Sequence, residues 1–103
     1  MVLKALALVE RCYSAEDGLV IANHLRPLLS RHEPVTLSFE GVSDIPSTFA
    51  NMAFASLLDE LDFETIRENL TIVDANRQIA DMVRRSIASR LRQLDQSDEA
   101  DTI

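Results

Sequence analysis

The sequence has no tryptophan, one tyrosine and four phenylalanines, so the core must be built mainly from aliphatic side chains. Cys12 is the only cysteine, which excludes an internal disulfide. The two glycines, Gly18 and Gly41, are too few for a glycine-rich phosphate loop. The opening stretch "MVLKALALVE" is too short to span a membrane and lacks the pattern of a signal peptide. We therefore expect a soluble cytoplasmic protein.

The chain carries a net charge of −7 at pH 7. This acidity argues against binding to nucleic acid or to anionic membranes, so we expect neither as a partner. A chain of 103 residues is long enough for one domain. We assign the domain to residues 1–94, and we predict that the acidic remainder, residues 95–103, is a disordered tail.

Three short apolar segments are candidate strands. Residues 35–40 alternate apolar and polar side chains, which is typical of a half-buried strand, and Gly41 ends it. Residues 70–73 form a second short strand. Residues 3–9 are apolar apart from one lysine, and their pattern fits either a strand or the start of a helix.

Helical patterns follow each of these segments. The first helix begins after Ser14, and Pro27 predicts a kink or a break within it. The second is predicted from Phe49 to Leu61, and the third over residues 76–94. The stretch 61–69 is interpreted as a helix end and a connection. The apolar faces of the three helices are, in order, Leu19, Val20, Ala22, Leu25, Leu28 and Leu29; Phe49, Ala50, Ala53, Phe54, Leu57, Leu58 and Leu61; and Ile79, Val83, Ile87 and Leu94.

The alternation of strands and helices predicts a small single-domain α/β fold. Its sheet is expected to be mostly parallel, with three to four strands joined by crossover helices. A sheet this small has open edges, which invite a partner protein or a second copy of the chain. The wide apolar face of residues 49–61 is an alternative surface for a homodimer.

Ser47 and Thr48 stand just before the second predicted helix. A hydroxyl at that position can cap the unpaired backbone N–H groups of the first helical turn. The same position suits a phosphoserine or phosphothreonine, because helix N-termini favour anions and α/β domains place ligands at the carboxyl ends of strands. Local chemistry leaves both interpretations open.

Four arginines project from the last helix on the side opposite its apolar face: Arg77, Arg84, Arg85 and Arg92. They could accept an acidic partner or a phosphate, or form a solvated face. His24 and His32 show no metal-ligand spacing, and no nucleophile stands near a base in a known catalytic order. We therefore predict no metal, no cofactor and no enzymatic activity.

The stretch "SFEGVSDIPSTFANMAF", residues 38–54, carries a more specific pattern. It resembles STAS domains, the family of the bacterial anti-sigma factor antagonists, and most closely the STAS-like domains of unknown function. Those run from a strand through "F-x-G-V" and a short turn to "I-x-S-S-F" at a helix start. The matching residues here are Phe39, Gly41, Val42, Ile45, Ser47, Thr48, Phe49 and Phe54.

The resemblance implies a role for the hydroxyl pair. In anti-sigma factor antagonists a Ser or Thr at the start of this helix is phosphorylated by a partner kinase, and phosphorylation releases the partner. Thr48 aligns with the phosphoacceptor and Ser47 with the residue before it. The implied partner-binding residues are Val42, Ser43, Asp44, Ile45, Pro46, Phe49, Asn51 and Met52.

The function implied is that of a non-enzymatic signalling module. Its expected partner is a GHKL-type ATPase or kinase, or an anti-sigma-like regulator. Two alternatives stay open: a domain that binds a nucleotide or another small molecule at the same loop, and an oligomerisation subunit that forms a homodimer.

Overall fold

Three strands form the sheet: β1 (Val2–Lys4), β2 (Val35–Ser38) and β3 (Leu70–Val73). In this computed structural model they lie in the order β1-β2-β3, and both pairs are parallel. The register places Leu3 beside Leu37 and Leu37 beside Ile72. The predicted small α/β fold with a parallel sheet is confirmed, with three strands.

Five α-helices surround or follow these strands: α1 (Ala5–Leu8), α2 (Ala15–Ser30), α3 (Ser47–Ala53), α4 (Phe63–Asn69) and α5 (Arg77–Thr102). A 3₁₀ helix, Ala55–Asp59, lies between α3 and α4. The structure describes residues 1–94 in full, and residues 95–102 only as backbone of α5. The tail predicted over residues 95–103 lies outside the fully described residues and stays a prediction. The ambiguous first segment contains both a strand and one helical turn.

Pro27 does not break α2, so the predicted break is absent, and a kink at Pro27 stays a prediction. The helix is continuous for 16 residues. Proline removes the hydrogen bond to the carbonyl four residues earlier, here that of Asn23. Both Asn23 and Pro27 are exposed, so water can satisfy that carbonyl. The first turn is held by a capping box between Ser14 and Asp17.

The predicted helix from Phe49 to Leu61 is two elements rather than one. Helix α3 begins two residues earlier, at Ser47, and ends at Ala53. The backbone departs from helical geometry at Phe54, and the 3₁₀ helix follows. Phe54 is fully buried, and the centre of its ring lies 6.2 Å from that of Phe39. The change of backbone direction at Phe54 therefore places this side chain in the core.

Residues 63–69, interpreted from the sequence as part of a connection, form helix α4. Asp62 caps it by accepting a hydrogen bond from the backbone N–H of Thr65 at 3.0 Å. Hydrogen bonds from the Thr65 side chain and backbone hold the pKa of Asp62 below its usual value. The signal for this helix was present in the sequence as Asp62 followed by an acidic first turn.

The core lies on one face of the sheet. Val35 and Leu37 of β2 are buried there among side chains of the helices, including Ile21, Leu25 and Phe49. On the opposite face Val2, Lys4 and Thr71 are exposed. The packed face is therefore continuous across the sheet, whereas the opposite face is exposed at these positions and covered at Ser38, which is 3% exposed.

Most of the predicted apolar positions belong to this core, with three exceptions. Leu19 and Leu94 are exposed, and Val20 is half-buried outside the core cluster. The apolar face of residues 49–61 is covered within the domain, because Phe49, Ala53 and Leu57 have no exposed surface. That face is therefore not available as a dimer interface, and the hypothesis of a homodimer through it is wrong. Among the described residues no helix has both the length and the apolar character needed to cross a membrane.

Candidate functional site

Helix α3 begins with the two predicted site residues. Pro46 is the N-cap, so Ser47 and Thr48 are the first two helical residues rather than the cap. The helix has no side-chain cap, and neither hydroxyl makes a hydrogen bond within the described residues. Both side chains are exposed. The capping interpretation is therefore wrong, and both hydroxyls are accessible.

The loop before α3 is held by side chains from the start of α5. Gln78 donates from Nε2 to the Ile45 carbonyl at 2.8 Å and accepts from the Ile45 N–H at 3.0 Å. Asn76 donates from Nδ2 to the Ser43 carbonyl at 2.6 Å. Asn76 also caps α5, because its Oδ1 accepts from the N–H of Ile79 at 3.0 Å. These contacts fix where the chain enters α3.

A second contact ties the ends of β2 and β3 together. The Ser38 hydroxyl donates to Asp74 Oδ2 at 2.7 Å and accepts from the N–H of Glu40 at 3.2 Å. Asp74 has a φ of 55°, a left-handed conformation that Asp and Asn tolerate better than most residues. None of Asp74, Asn76 and Gln78 was singled out from the sequence, although the polar run after a buried strand could have indicated them.

A groove of about 420 Å³ separates α3 and the 3₁₀ helix from α5. We call it the α3 groove. Its lining includes Thr48, Asn51, Met52, Ala55, Ser86 and Arg90. Ala55 and Ser86 are small, so the two helical layers leave open space between them. Thr48 lines the groove, whereas Ser47 does not.

Ser86 is the unusual member of this lining. Its side chain is only 4% exposed, yet the hydroxyl makes no hydrogen bond within the described residues. A buried hydroxyl without a partner costs about 1–3 kcal/mol. A molecule that enters the groove with a hydrogen-bonding group could satisfy it. Ser86 was not identified from the sequence, because nothing in the local pattern distinguishes it from other polar residues of α5.

Arg90 closes the α3 groove on the side of the 3₁₀ helix. Its guanidinium forms an ion pair with Asp59, with Nε donating to Oδ1 at 3.1 Å, and Nη1 donates to Gln93 at 3.1 Å. This arginine was outside the predicted set. The predicted arginines are all exposed: Arg77, Arg84, Arg85 and Arg92. Of these four, Arg84 alone forms an ion pair with a described residue, with Asp81 at 3.5 Å.

The predicted partner-binding residues divide into two groups. Ile45 is 1% exposed and Phe49 has no exposed surface, so these two side chains serve the core and cannot present a contact surface in this fold. The others keep some or most of their surface: Val42, Ser43, Asp44, Pro46, Asn51 and Met52. Only Asn51 and Met52 of this second group line the α3 groove.

The titratable groups with shifted pKa values lie outside this groove. Burial, and secondarily the charge of Asp17, raises the pKa of the Cys12 thiol to about 11. The pKa values of Asp17, in the capping box of α2, and of Asp62, the N-cap of α4, are lowered. In the described part of the chain no three His, Cys, Asp or Glu side chains are placed to hold a metal ion. The chemistry available at the groove is hydrogen bonding by hydroxyl and amide groups beside one ion pair.

Comparison with known proteins agrees with this architecture. The model of one family, described as "STAS-like domain of unknown function (DUF4325)", matches residues 17–80. This range begins in the first turn of α2 and ends in the first turn of α5, and it includes Ser47 and Thr48. The chain belongs to this family of STAS-like domains. No curated protein and no solved structure matched the sequence significantly.

Proposed function

We propose that this protein is a non-enzymatic regulatory module that binds a partner protein through the α3 groove and the adjoining loop. We further propose that phosphorylation of Thr48, or of Ser47, switches this binding. The observation that carries the proposal is the position of Thr48. Its hydroxyl is exposed, takes no part in capping, and borders a groove with an unsatisfied hydroxyl in its lining.

The groove favours a partner segment with hydrogen-bonding groups and small side chains. The Ser86 hydroxyl makes no hydrogen bond within the described residues, so a partner carbonyl that reaches it would add one. Asn51 is exposed nearby and adds an amide that both donates and accepts. Met52 supplies an adaptable apolar contact. A short extended peptide segment has this chemistry.

A phosphate on Thr48 would change the groove directly. It brings a charge of about −1.5 to −2 and three acceptor oxygens to its edge. In an already acidic protein this charge would oppose an acidic segment and would occupy space near Asn51 and Met52. The loop is held by Asn76 and Gln78, so we expect the change to act locally on the groove.

The resemblance to anti-sigma factor antagonists supplies the candidate partner. It favours a GHKL-type ATPase or kinase, or an anti-sigma-like regulator, that both binds the module and modifies it. The chain itself would contribute the recognition surface and the phosphoacceptor. No chemical step by the chain's own residues is required.

The test is affinity capture with the tagged full chain from an extract of its native host, followed by mass spectrometry of the bound proteins and of residues 42–58. The variants are Thr48→Asp, Ser47→Asp and Ser86→Ala. Asn23→Asp, which adds a charge on an exposed side of α2, is the control.

We expect capture of an ATPase or kinase, reduced by Thr48→Asp and Ser86→Ala and unchanged by Asn23→Asp. Because Ser47 lies outside the groove lining, Ser47→Asp should have the smaller effect. The switch is rejected if both Asp variants capture the partner as the wild type does and neither hydroxyl carries phosphate.

Small-molecule binding at the same groove is the second candidate, and Ser86 is again the observation that favours it. Thermal unfolding with nucleotides distinguishes it from partner binding. A specific nucleotide should raise the melting temperature of the wild type by mass action and raise that of Ser86→Ala less. Equal shifts in both proteins would argue against binding in this groove.

A further inference from the structure

A second groove lies on another side of α5. It has a volume of about 440 Å³ and runs between β3 and α5. We call it the β3 groove. Its apolar lining includes Phe63, Ile72, Val83, Ile87 and Leu91. Val83 is a buried core residue, and the other four are packed against the core and incompletely covered.

One wall of the β3 groove is an open sheet edge. β3 pairs with β2 and with no other strand among those described. Two further backbone hydrogen bonds involve β3. The N–H of Phe39 donates to the Val73 carbonyl from the β2 side, and the N–H of Leu70 donates to the Ile66 carbonyl in the last turn of α4. Apart from the Leu70 N–H, the outward N–H and C=O groups of β3 are therefore available to another strand.

The two edge strands of the sheet differ in how well they are protected from pairing with a further strand. β1 has three residues and carries an exposed lysine, Lys4, and both features discourage edge-to-edge pairing. β3 has four residues, "LTIV", with no charge and no proline, and three of them are strong or moderate β-formers. Of the two edges, β3 is the one suited to pairing with another chain.

The positions of two charged side chains indicate that a second copy of this chain fits the β3 groove. Asp74 and Arg84 both line the β3 groove. Asp74 follows the carboxyl end of β3, and Arg84 lies two helical turns into α5, about 10 Å along that helix. If a second copy places its β3 antiparallel to the first, the two-fold axis brings Asp74 of each copy toward Arg84 of the other. The groove is therefore self-complementary, as an isologous contact requires.

Arg84 and Asp74 can each form a further ion pair or hydrogen bond with a second copy of the chain. Within the described residues Arg84 pairs only with Asp81, an exposed neighbour at 3.5 Å. In the described part of the chain Asp74 accepts one hydrogen bond, from Ser38, and a carboxylate can accept several. We propose that the protein forms a two-fold dimer in which the β3 strands pair antiparallel and the β3 grooves cover each other, producing a continuous six-stranded sheet.

The dimer does not depend on the proposed function. The α3 groove uses Ser86, Ser89, Arg90 and Gln93 of α5, and the β3 groove uses Val83, Arg84, Ile87 and Leu91. At about 100° per residue these two sets project from different sides of the helix. A dimer formed through β3 therefore leaves the α3 groove free to bind a partner.

Sedimentation velocity of the full chain over a concentration series tests the dimer. Three single variants are compared. Thr71→Lys places a charge at an exposed position of β3 and should prevent it from pairing with another strand. Arg84→Glu would bring like charges together across the dimer, and Arg85→Glu is the third variant. Arg85→Glu is the matched control, because Arg85 is the next residue, is also exposed, and is outside the β3 groove. Circular dichroism confirms that each variant is folded.

We expect a wild-type dimer at micromolar concentration and a dissociation constant raised at least about tenfold by Thr71→Lys and by Arg84→Glu. Arg85→Glu should leave the constant within about twofold of the wild type. If Thr71→Lys does not fold, Ala88→Glu, at an exposed position in the same groove, replaces it. A wild-type protein that stays monomeric, an equal loss in Arg84→Glu and Arg85→Glu, or a dimer that survives both edge variants overturns the proposal.

Discussion

Gln78 holds Ile45 by two hydrogen bonds, one to its carbonyl and one from its N–H, across 33 residues of sequence. The amide side chain replaces the strand partner that this extended loop lacks. It joins the start of α5 to the entry of α3, so the position of Ser47 and Thr48 depends on a residue that follows β3.

The first prediction is that Gln78→Ala weakens this connection. It leaves two part-buried backbone groups of Ile45 without a partner, and we expect a loss of about 1–3 kcal/mol in the free energy of unfolding, measured with urea. Hydrogen exchange should rise at residues 43–48. Arg77→Ala, at the exposed neighbouring position, is the control and should change stability by less than about 0.5 kcal/mol. Unchanged exchange in Gln78→Ala would show that the loop is fixed by other contacts.

The second prediction concerns Gly18, where α2 meets α3. A Cβ at this position would lie 2.5 Å from the Phe49 carbonyl oxygen and 3.0 Å from Cβ of Met52. Alanine normally favours a helix over glycine, but here it would push α3 away. We expect Gly18→Ala to lower the unfolding free energy by about 1–3 kcal/mol. Asn23→Ala, exposed on the same helix, tests the propensity effect together with the loss of one exposed hydrogen bond, from Arg26 Nη1 at 2.8 Å. An equally small change in both variants would contradict the close approach.

The third prediction is a pH dependence that originates in the capping box of α2. The Ser14 N–H donates to Asp17 Oδ2 at 3.0 Å, and this hydrogen bond lowers the pKa of Asp17 below its ordinary value of 3.8. The folded carboxylate therefore binds a proton less readily than the unfolded one. Its stabilising contribution is present above pH 3.8 and is lost as the pH falls through the lower, folded-state pKa.

Asp17→Asn should consequently be less stable than the wild type at neutral pH, and the difference should shrink as the pH falls below about 4. Urea unfolding at pH 7, 5 and 3 measures this. Ser14→Ala removes the other half of the box and should cost about 1 kcal/mol at neutral pH. A difference between Asp17→Asn and the wild type that is constant with pH would show that the carboxylate charge is not involved.

The fourth prediction is that Cys12 is unreactive in the folded protein. Its side chain is buried, and burial raises the pKa of the thiol to about 11. At pH 8 only about one molecule in a thousand then carries the thiolate that reacts with disulfide reagents. We expect labelling by an aromatic disulfide to be slow in buffer and fast in urea. An exposed thiol in Asn23→Cys should label at once in both, and equally fast labelling of Cys12 in buffer would contradict its burial.

Local patterns predicted most of the strands and helices. The alternation over residues 35–40 reports one buried and one exposed face, and the structure shows Val35 and Leu37 inside the domain. Helix boundaries were less accurate. The apolar residues from Phe49 to Leu61 fit one helical stripe, but the break at Phe54 depends on packing against Phe39. A hydrophobic pattern does not specify that contact.

The candidate site was predicted only in part. Thr48 was predicted as a site residue from its position before a helix and from the resemblance to STAS-like domains. Asn51 and Met52 were predicted from the same resemblance. Ser86 and Arg90, which complete the α3 groove, lie more than 35 residues after Thr48, on α5. No local pattern connects these residues to Thr48, because their proximity results from packing of α5 beside α3.

The order of apolar and polar residues, by itself, determined that this chain is a small α/β domain with a parallel sheet, because each element must bury one face. It also placed the hydroxyl pair, Ser47 and Thr48, at the start of a helix. Only the tertiary structure decided that Pro46 caps that helix, that Thr48 borders a groove shared with α5, and that β3 is left as an unprotected edge. These features depend on contacts between segments far apart in the chain, and such contacts exist only once the core has formed.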